Sequence, residues 1–237
     1  MNRARSQLTR LVLLLKSGQS GLILEELRRR IYSNSTSFCL RRDLTQSFEA
    51  PAAKISITVR PVRDSEAANL FDAGTPGLSA AEIVDRTGRM SLFQTGIPLC
   101  YVAIDQKGTP CYAQWLMSSA ENDRIQEYFR GTFPILAPDE ALIEGAFTPE
   151  SHRGLGIMPR AMALIAERAT DFGARYVLTF VGEDNIPSLK GCKRAGFAPY
   201  MLRKTDWRLL RPRANFLPLP EDKPYPVNQE KAISKAS

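Results

Sequence analysis

The stretch "SHRGLGIMPRAM" at residues 151–162 sets two glycines, Gly154 and Gly156, directly before a helix-like run. The segment ahead of it, "EALIEGAF" at residues 140–147, reads as a strand. Strand, glycine loop and helix in succession make a common anion cradle. Glycines let the backbone approach the ligand, and the first N–H groups of the helix point at it. Two familiar phosphate patterns fail here. A P-loop needs G-x-x-x-x-G-K-[ST], which does not occur. A dinucleotide fingerprint needs G-x-G-x-x-G, but Pro159 stands at its third position and no acidic ribose partner follows at the right distance.

Outward from the loop the chain alternates strands and helices. Downstream, Pro159 suits a first helical turn, and a helix is expected from there to Phe172, stopped by Gly173. "YVLTFV" reads as a buried strand, "IPSLKGCKRAGF" as a short helix ending at Gly196, and "PYMLRKTDWRLL" as a last strand. Upstream, "KISITVRPV" alternates Ile55, Ile57 and Val59 on one face and is a strand. Two helices follow, the second capped by Ser79. A hairpin through Lys107, Gly108, Thr109 and Pro110 joins "CYVAIDQ" to "CYAQWLMS", where Trp115 is expected in the core or a pocket wall. Residues 121–139, polar and aromatic, read as an insertion near a site.

A third pattern fits the glycine loop. "RGLGIM" resembles the pyrophosphate-binding loop of the GNAT superfamily of acyl-CoA N-acyltransferases, written [QR]-x-x-G-x-[GA]. Arg153 and Gly156 match it, whereas Met158 stands where Gly or Ala is usual. In "YVLTFVGEDNIPSLKGCKRAGF", Asn185, Ser188 and the Gly196-Phe197 pair fall at the family's spacing. The resemblance covers about residues 54–210. It implies an α/β (α+β) GNAT fold, a mixed, mostly antiparallel central sheet flanked by helices, and acetyl-CoA as cosubstrate. The implied cofactor-binding residues are the loop from Arg153 through Gly154, Leu155, Gly156 and Ile157 to Met158, with the strand end Ala146, Phe147 and Thr148. There the strand would splay from its neighbour and pair with the pantetheine arm, and Asn185 and Ser188 would bind from the other side.

Acyl transfer to an amine needs a base for the ammonium proton, a donor for the oxyanion and an acid for the leaving thiolate. Glu144 and Glu140 are four apart and share a strand face if no bulge intervenes. Glu144 is the candidate base, although a carboxylate there could equally be an arginine's partner. Cys192 occupies the place where the family often has a Tyr, and is the candidate acid, with Tyr112 and Tyr200 as substitutes. His152, the one histidine, sits on the outer side of the loop.

The 237 residues suit one full-sized domain with extensions. Four cysteines without a C-x-x-C pair, and that one histidine, give no expectation of a metal site. The apolar run "LVLLL" is too short to span a membrane, no leader is expected, and a cytoplasmic location with reduced thiols is the default. The net charge is +7, and residues 1–44 hold nine basic side chains against three acids. Residues 1–50 are accordingly expected to be a basic helical extension, with helices at 6–16 and 22–32. Residues 51–210 would be the acyltransferase domain and 211–237 an irregular tail. The extension could pack on the domain, make weak membrane-surface contact, or do neither; nucleic-acid binding is not expected. The expected reaction is acetyl transfer to a small-molecule amine, such as an amino sugar or amino acid derivative, by a monomer or homodimer. Transfer to a protein N-terminus or lysine, and a non-catalytic acyl-CoA sensor, are the alternatives.

Overall fold

A computed structural model describes residues 28–227. Its frame is a single eight-stranded sheet in the order β2-β3-β4-β5-β6-β1-β7-β8. The strands are β1 (Tyr32–Asp43), β2 (Ile57–Pro61), β3 (Cys100–Asp105), β4 (Pro110–Ser118), β5 (Glu140–Phe147), β6 (Tyr176–Gly182), β7 (Ala198–Arg208) and β8 (Arg211–Pro218). Neighbours are antiparallel except β5 and β6, which run parallel. The helices are α1 (Asp64–Leu70), α2 (Ala80–Phe93), α3 (Asn122–Phe129), α4 (Ile157–Glu167) and α5 (Ile186–Arg194). This is the mixed, mostly antiparallel sheet flanked by helices that the resemblance implied.

The sheet buries both faces, because its central strands carry apolar side chains on alternate sides. Phe38 and Leu40 of β1 pack with Ile143, Met162, Leu189 and Cys192 on the face of α4 and α5. Cys39, between them, joins Leu70, Leu92, Trp115, Ile125 and Phe180 on the face of α1, α2 and α3. All four cysteines are buried free thiols. Helix starts follow local chemistry. Ser79 caps α2 by accepting the Glu82 N–H at 3.2 Å. At α1 the Glu66 carboxylate reaches back to the Arg63 N–H at 3.0 Å. A 3₁₀ turn over Arg168–Phe172 extends α4 to Gly173, whose φ of 83° ends it.

Two boundaries read from the sequence do not hold. Residues 1–50 are not a helical extension throughout. Of the helix expected at 22–32, residues 28–31 are helical; then β1 enters the sheet between β6 and β7. Its centre is fully buried, so β1 belongs to the domain core. The helix expected at 6–16 lies outside the described residues. Residues 211–218 are not an irregular tail either, since β8 pairs with β7 from Arg208↔Arg211 to Met201↔Pro218. The connecting turn is Leu209-Leu210, both with positive φ, 48° and 66°. Beyond β8 the chain packs back on the α4–α5 face. Tyr225 stands edge-on to Phe38 at 5.3 Å, and its hydroxyl donates to the Leu189 carbonyl at 3.1 Å. No helix among the described residues is long and apolar enough to cross a membrane.

Candidate functional site

The sheet opens at its centre. β5 and β6 are paired only from Glu140↔Tyr176 to Leu142↔Leu178, and past that point the two strands separate. A bulge lies in the unpaired half. The β4–β5 register passes from Trp115↔Glu144 to Ala113↔Phe147, so β5 carries one extra residue there. The bulge turns at Gly145, with φ 73°. A β-carbon at that position would lie 2.8 Å from Cε3 of Trp115 and 3.0 Å from Cδ2 of Leu92. Glycine is therefore required twice over, by conformation and by space. Trp115 is buried core, stacked on Phe71 at 5.7 Å.

The glycine loop stands at the open end of β5. Gly154 and Gly156 have φ of 77° and 73°. Among the described residues, the N–H groups of Gly154, Leu155 and Gly156 meet no hydrogen-bond acceptor. They precede the first turn of α4, where the helix dipole adds partial positive charge. Orphan donors, a helix N-terminus and an unpaired strand edge converge, which fits a phosphate-bearing ligand with an extended arm. The segment ahead of β2 braces the loop from behind: the Lys54 N–H donates to the Leu155 carbonyl at 2.8 Å. Met158, the departure from the loop pattern, is accommodated across the helix pair. A β-carbon on Gly191 of α5 would lie 2.4 Å from the Met158 sulfur.

Arg153 is a staple. Its Nε donates to the Thr148 carbonyl at 3.1 Å, and its guanidinium lies 3.5 Å from Glu150 and 3.9 Å from Asp85. The carbonyl of Ala146 is held by Arg89 Nη2 of α2 at 3.0 Å. The Phe147 side chain is buried on the α1–α3 face against Phe71. Asn185 caps α5 by accepting the Ser188 N–H at 3.2 Å. His152 has Nδ1 2.9 Å from the Ser151 hydroxyl, on the short turn before the loop.

Glu144 precedes the bulge and keeps Glu140 on its own strand face. The two differ in what they do. Glu140 accepts the Ala137 N–H at 3.0 Å and closes the loop before β5. Glu144 accepts only its neighbour's N–H, from Gly145 at 3.0 Å, among the described residues. Burial pushes the Glu144 carboxyl above its ordinary value, opposed by that N–H and by the charges of Arg203 and Arg89. A raised carboxylate is what a general base for an ammonium needs.

Cys192 is buried, with Sγ 3.8 Å from the Met162 sulfur. Burial, and secondarily the charge of Glu144, pushes its thiol up to about 12. An ordinary thiol titrates near ~8.5, so protonation of a leaving thiolate by Cys192 would run uphill. Tyr112 is buried with its hydroxyl on Gln114 Oε1, and burial raises it as well. Tyr200 lies at the sheet end beneath Arg41, whose guanidinium is 3.8 Å from the ring centre. The structure instead brings Tyr225 within electrostatic reach of Cys192. Sequence reading missed Arg89, Arg203 and Tyr225. Nothing local marks them, because each reaches the centre from a distant element.

Residues 101–197 match the model of the acetyltransferase (GNAT) family. No curated protein matches the chain. Similar solved structures include a GCN5-related N-acetyltransferase from Sphaerobacter thermophilus, 17% identical, over 78% of this chain and 56% of that one, with a TM-score of 0.46. A GNAT-family acetyltransferase from Colwellia psychrerythraea is 14% identical over 75% of this chain and 57% of its own, with a TM-score of 0.46. The glucosamine N-acetyltransferase region of a fungal multi-domain β-N-acetylglucosaminidase is 13% identical over 78% of this chain and 22% of that one, at a TM-score of 0.50. This chain spans little more than half of the Sphaerobacter and Colwellia proteins. Residues 101–197 thus carry a GNAT acetyltransferase domain.

Proposed function

We propose that the protein transfers an acetyl group from acetyl-CoA to the amine of a small molecule. The observation that carries this reading is the meeting of three features at one opening in the sheet. These are the unpaired edge of β5, the orphan N–H groups of Gly154, Leu155 and Gly156, and Glu144 at the bulge. The loop N–H groups and the start of α4 would hold the pyrophosphate, and the β5 edge past Leu142 would hold the arm. Acetyl-CoA would supply an activated thioester, whose acyl carbon bonds to the amine nitrogen as its bond to sulfur breaks.

This chain's own part is positional and protolytic. Glu144 takes the proton that the amine must lose, directly or through water. Its raised pKa lets the neutral acid form without a large penalty, while the Gly145 N–H keeps the carboxylate oriented. The thiolate leaves without help from Cys192. A thiol near ~8.5 is a fair leaving group at neutral pH. Thiol release from acetyl-CoA across a panel of amines tests the reading. Release that depends on both acetyl-CoA and one class of small amine is the expected result. Release with protein N-termini or lysine peptides and with no small amine would replace the acceptor, and no release with any amine would remove the activity.

A further inference from the structure

Two arginines near Glu144, Arg89 and Arg203, contrast with Arg42, Arg60 and Arg86, which each meet a carboxylate. Arg42 is paired with Glu167, Arg60 with Glu66, and Arg86 with Glu82. Arg89 and Arg203 have no carboxylate within ion-pairing distance among the described residues. Arg89 spends one N–H on the Ala146 carbonyl, two residues past Glu144. Arg203, from β7, donates to the Thr132 carbonyl at 3.1 Å and to the Ser37 hydroxyl at 3.3 Å. Its guanidinium lies 4.8 Å and 4.7 Å from the ring centres of Phe133 and Phe180. The Nε of each is buried and meets no acceptor among the described residues.

Such a pair is costly to leave as it stands. A guanidinium has five N–H donors and no acceptor, and its charge cannot be shed. Two of them close to one carboxylate leave net positive charge beside that carboxylate. The charge grows whenever Glu144 holds a proton, which the base must do during each turnover. A fixed cation on the acceptor's face of the sheet repels an ammonium, so it serves a substrate only if that substrate brings its own anion. The planar fork of arginine matches a carboxylate or a phosphate in two-point contact.

We infer that the acceptor is an amine bearing a carboxylate or phosphate, and that Arg89 and Arg203 recognise that anionic group while Glu144 faces the amine. The inference rests on the acyl-transfer reading above, and it makes these arginines determinants of specificity. Neither is asked to move a proton.

The test uses matched acceptors that differ only in the anion: β-alanine against β-alaninamide, and glucosamine 6-phosphate against glucosamine. Wild type, Arg89→Gln and Arg203→Lys are compared by kcat/KM, and circular dichroism checks that each variant is folded. The wild type should prefer one anionic acceptor over its neutral partner by about ten- to a hundredfold, the worth of a charged hydrogen-bonding pair. Which pair shows it distinguishes carboxylate from phosphate. Each variant should lose most of that preference, read as the ratio of kcat/KM on the charged and neutral members of one pair. Equal use of charged and neutral acceptors by the wild type, or a preference that survives both substitutions, overturns the inference while acyl transfer stands. Calorimetric binding of the same compounds to the full chain with coenzyme A provides a second readout. Anion-dependent binding lost in the variants, without transfer to any amine, keeps the site and fails the activity. Equal binding of charged and neutral members, or no binding at all, overturns the site.

Discussion

Replacing Gly145 with alanine tests whether the bulge organises both the fold and the site. The residue sits at φ 73°, a left-handed conformation that costs a side-chain-bearing residue about 1–2 kcal/mol. The new β-carbon would press on Cε3 of Trp115 at 2.8 Å and Cδ2 of Leu92 at 3.0 Å. Trp115 is fully buried and stacked on Phe71, so it has little room to yield, and overpacking of this kind costs about 1–3 kcal/mol. The sum is about 2–5 kcal/mol, a large share of the roughly 5–15 kcal/mol that holds a domain together. At about 2–4 °C per kcal/mol for a chain of this size, the midpoint should fall by about 4–20 °C. Gly154→Ala is the control, with φ 77° and no atom within 4 Å of its β-carbon. It should incur only the conformational part. Thermal melts of the three proteins decide the matter. A Gly145→Ala midpoint within a degree or two of wild type, or no lower than that of Gly154→Ala, would refute the steric argument.

The other expectations are briefer. Glu144→Gln should cut turnover by about 10²–10⁴ with acetyl-CoA affinity kept. Because the Glu144 carboxyl is raised in the fold, wild-type rate should climb with pH through a value above the ordinary carboxylate range. The same shift gives a stability contribution that is full below the ordinary carboxylate pKa and lost as pH rises through the raised value, so Glu144→Gln should gain on wild type in melting temperature over that window. Gly156→Asp should abolish coenzyme A binding in calorimetry, since it adds a side chain and like charge to the loop; unchanged affinity would take the loop out of the site. Deletion of residues 1–50 removes β1 from between β6 and β7 and should leave no soluble protein with a cooperative melt. Leu209→Asn with Leu210→Gly puts residues suited to left-handed φ into the β7–β8 turn, and should raise the midpoint by several degrees, at about 1–2 kcal/mol.

What could be read from the sequence was local. The strand at 140–147, the glycine loop and the helix after it follow one another along the chain. Turn residues and periodicity therefore identify them, as does the Ser79 cap. The place of β1 could not be read that way, because its partners lie on β6 and β7, far downstream, and a strand's own residues do not say which strands it joins. The β7–β8 hairpin hid for another reason. Its turn is Leu209-Leu210, in a position where Asn-Gly would announce itself, so the chain beyond Leu210 read as irregular. At the site, Gly154 and Gly156 were visible as a motif and Glu144 as a charge in an apolar strand. Arg89 and Arg203 were two among 32 basic residues, and only tertiary packing sets them apart. Cys192 was visible too, but its burial, which disarms the thiol, was not.

The position of β1 also has a consequence in time. Ser37 pairs with Gly182 on one side and Arg203 on the other. At synthesis rates of about 5–20 residues per second, the first strand of the sheet waits roughly seven to thirty seconds before either neighbour exists. In that interval Phe38, Cys39 and Leu40, all fully buried at the end, have no strand to pair with, and their edge is open to any other chain. Strands made late in synthesis thus complete the first one, and the N-terminal end of the described chain is locked only once β7 has arrived.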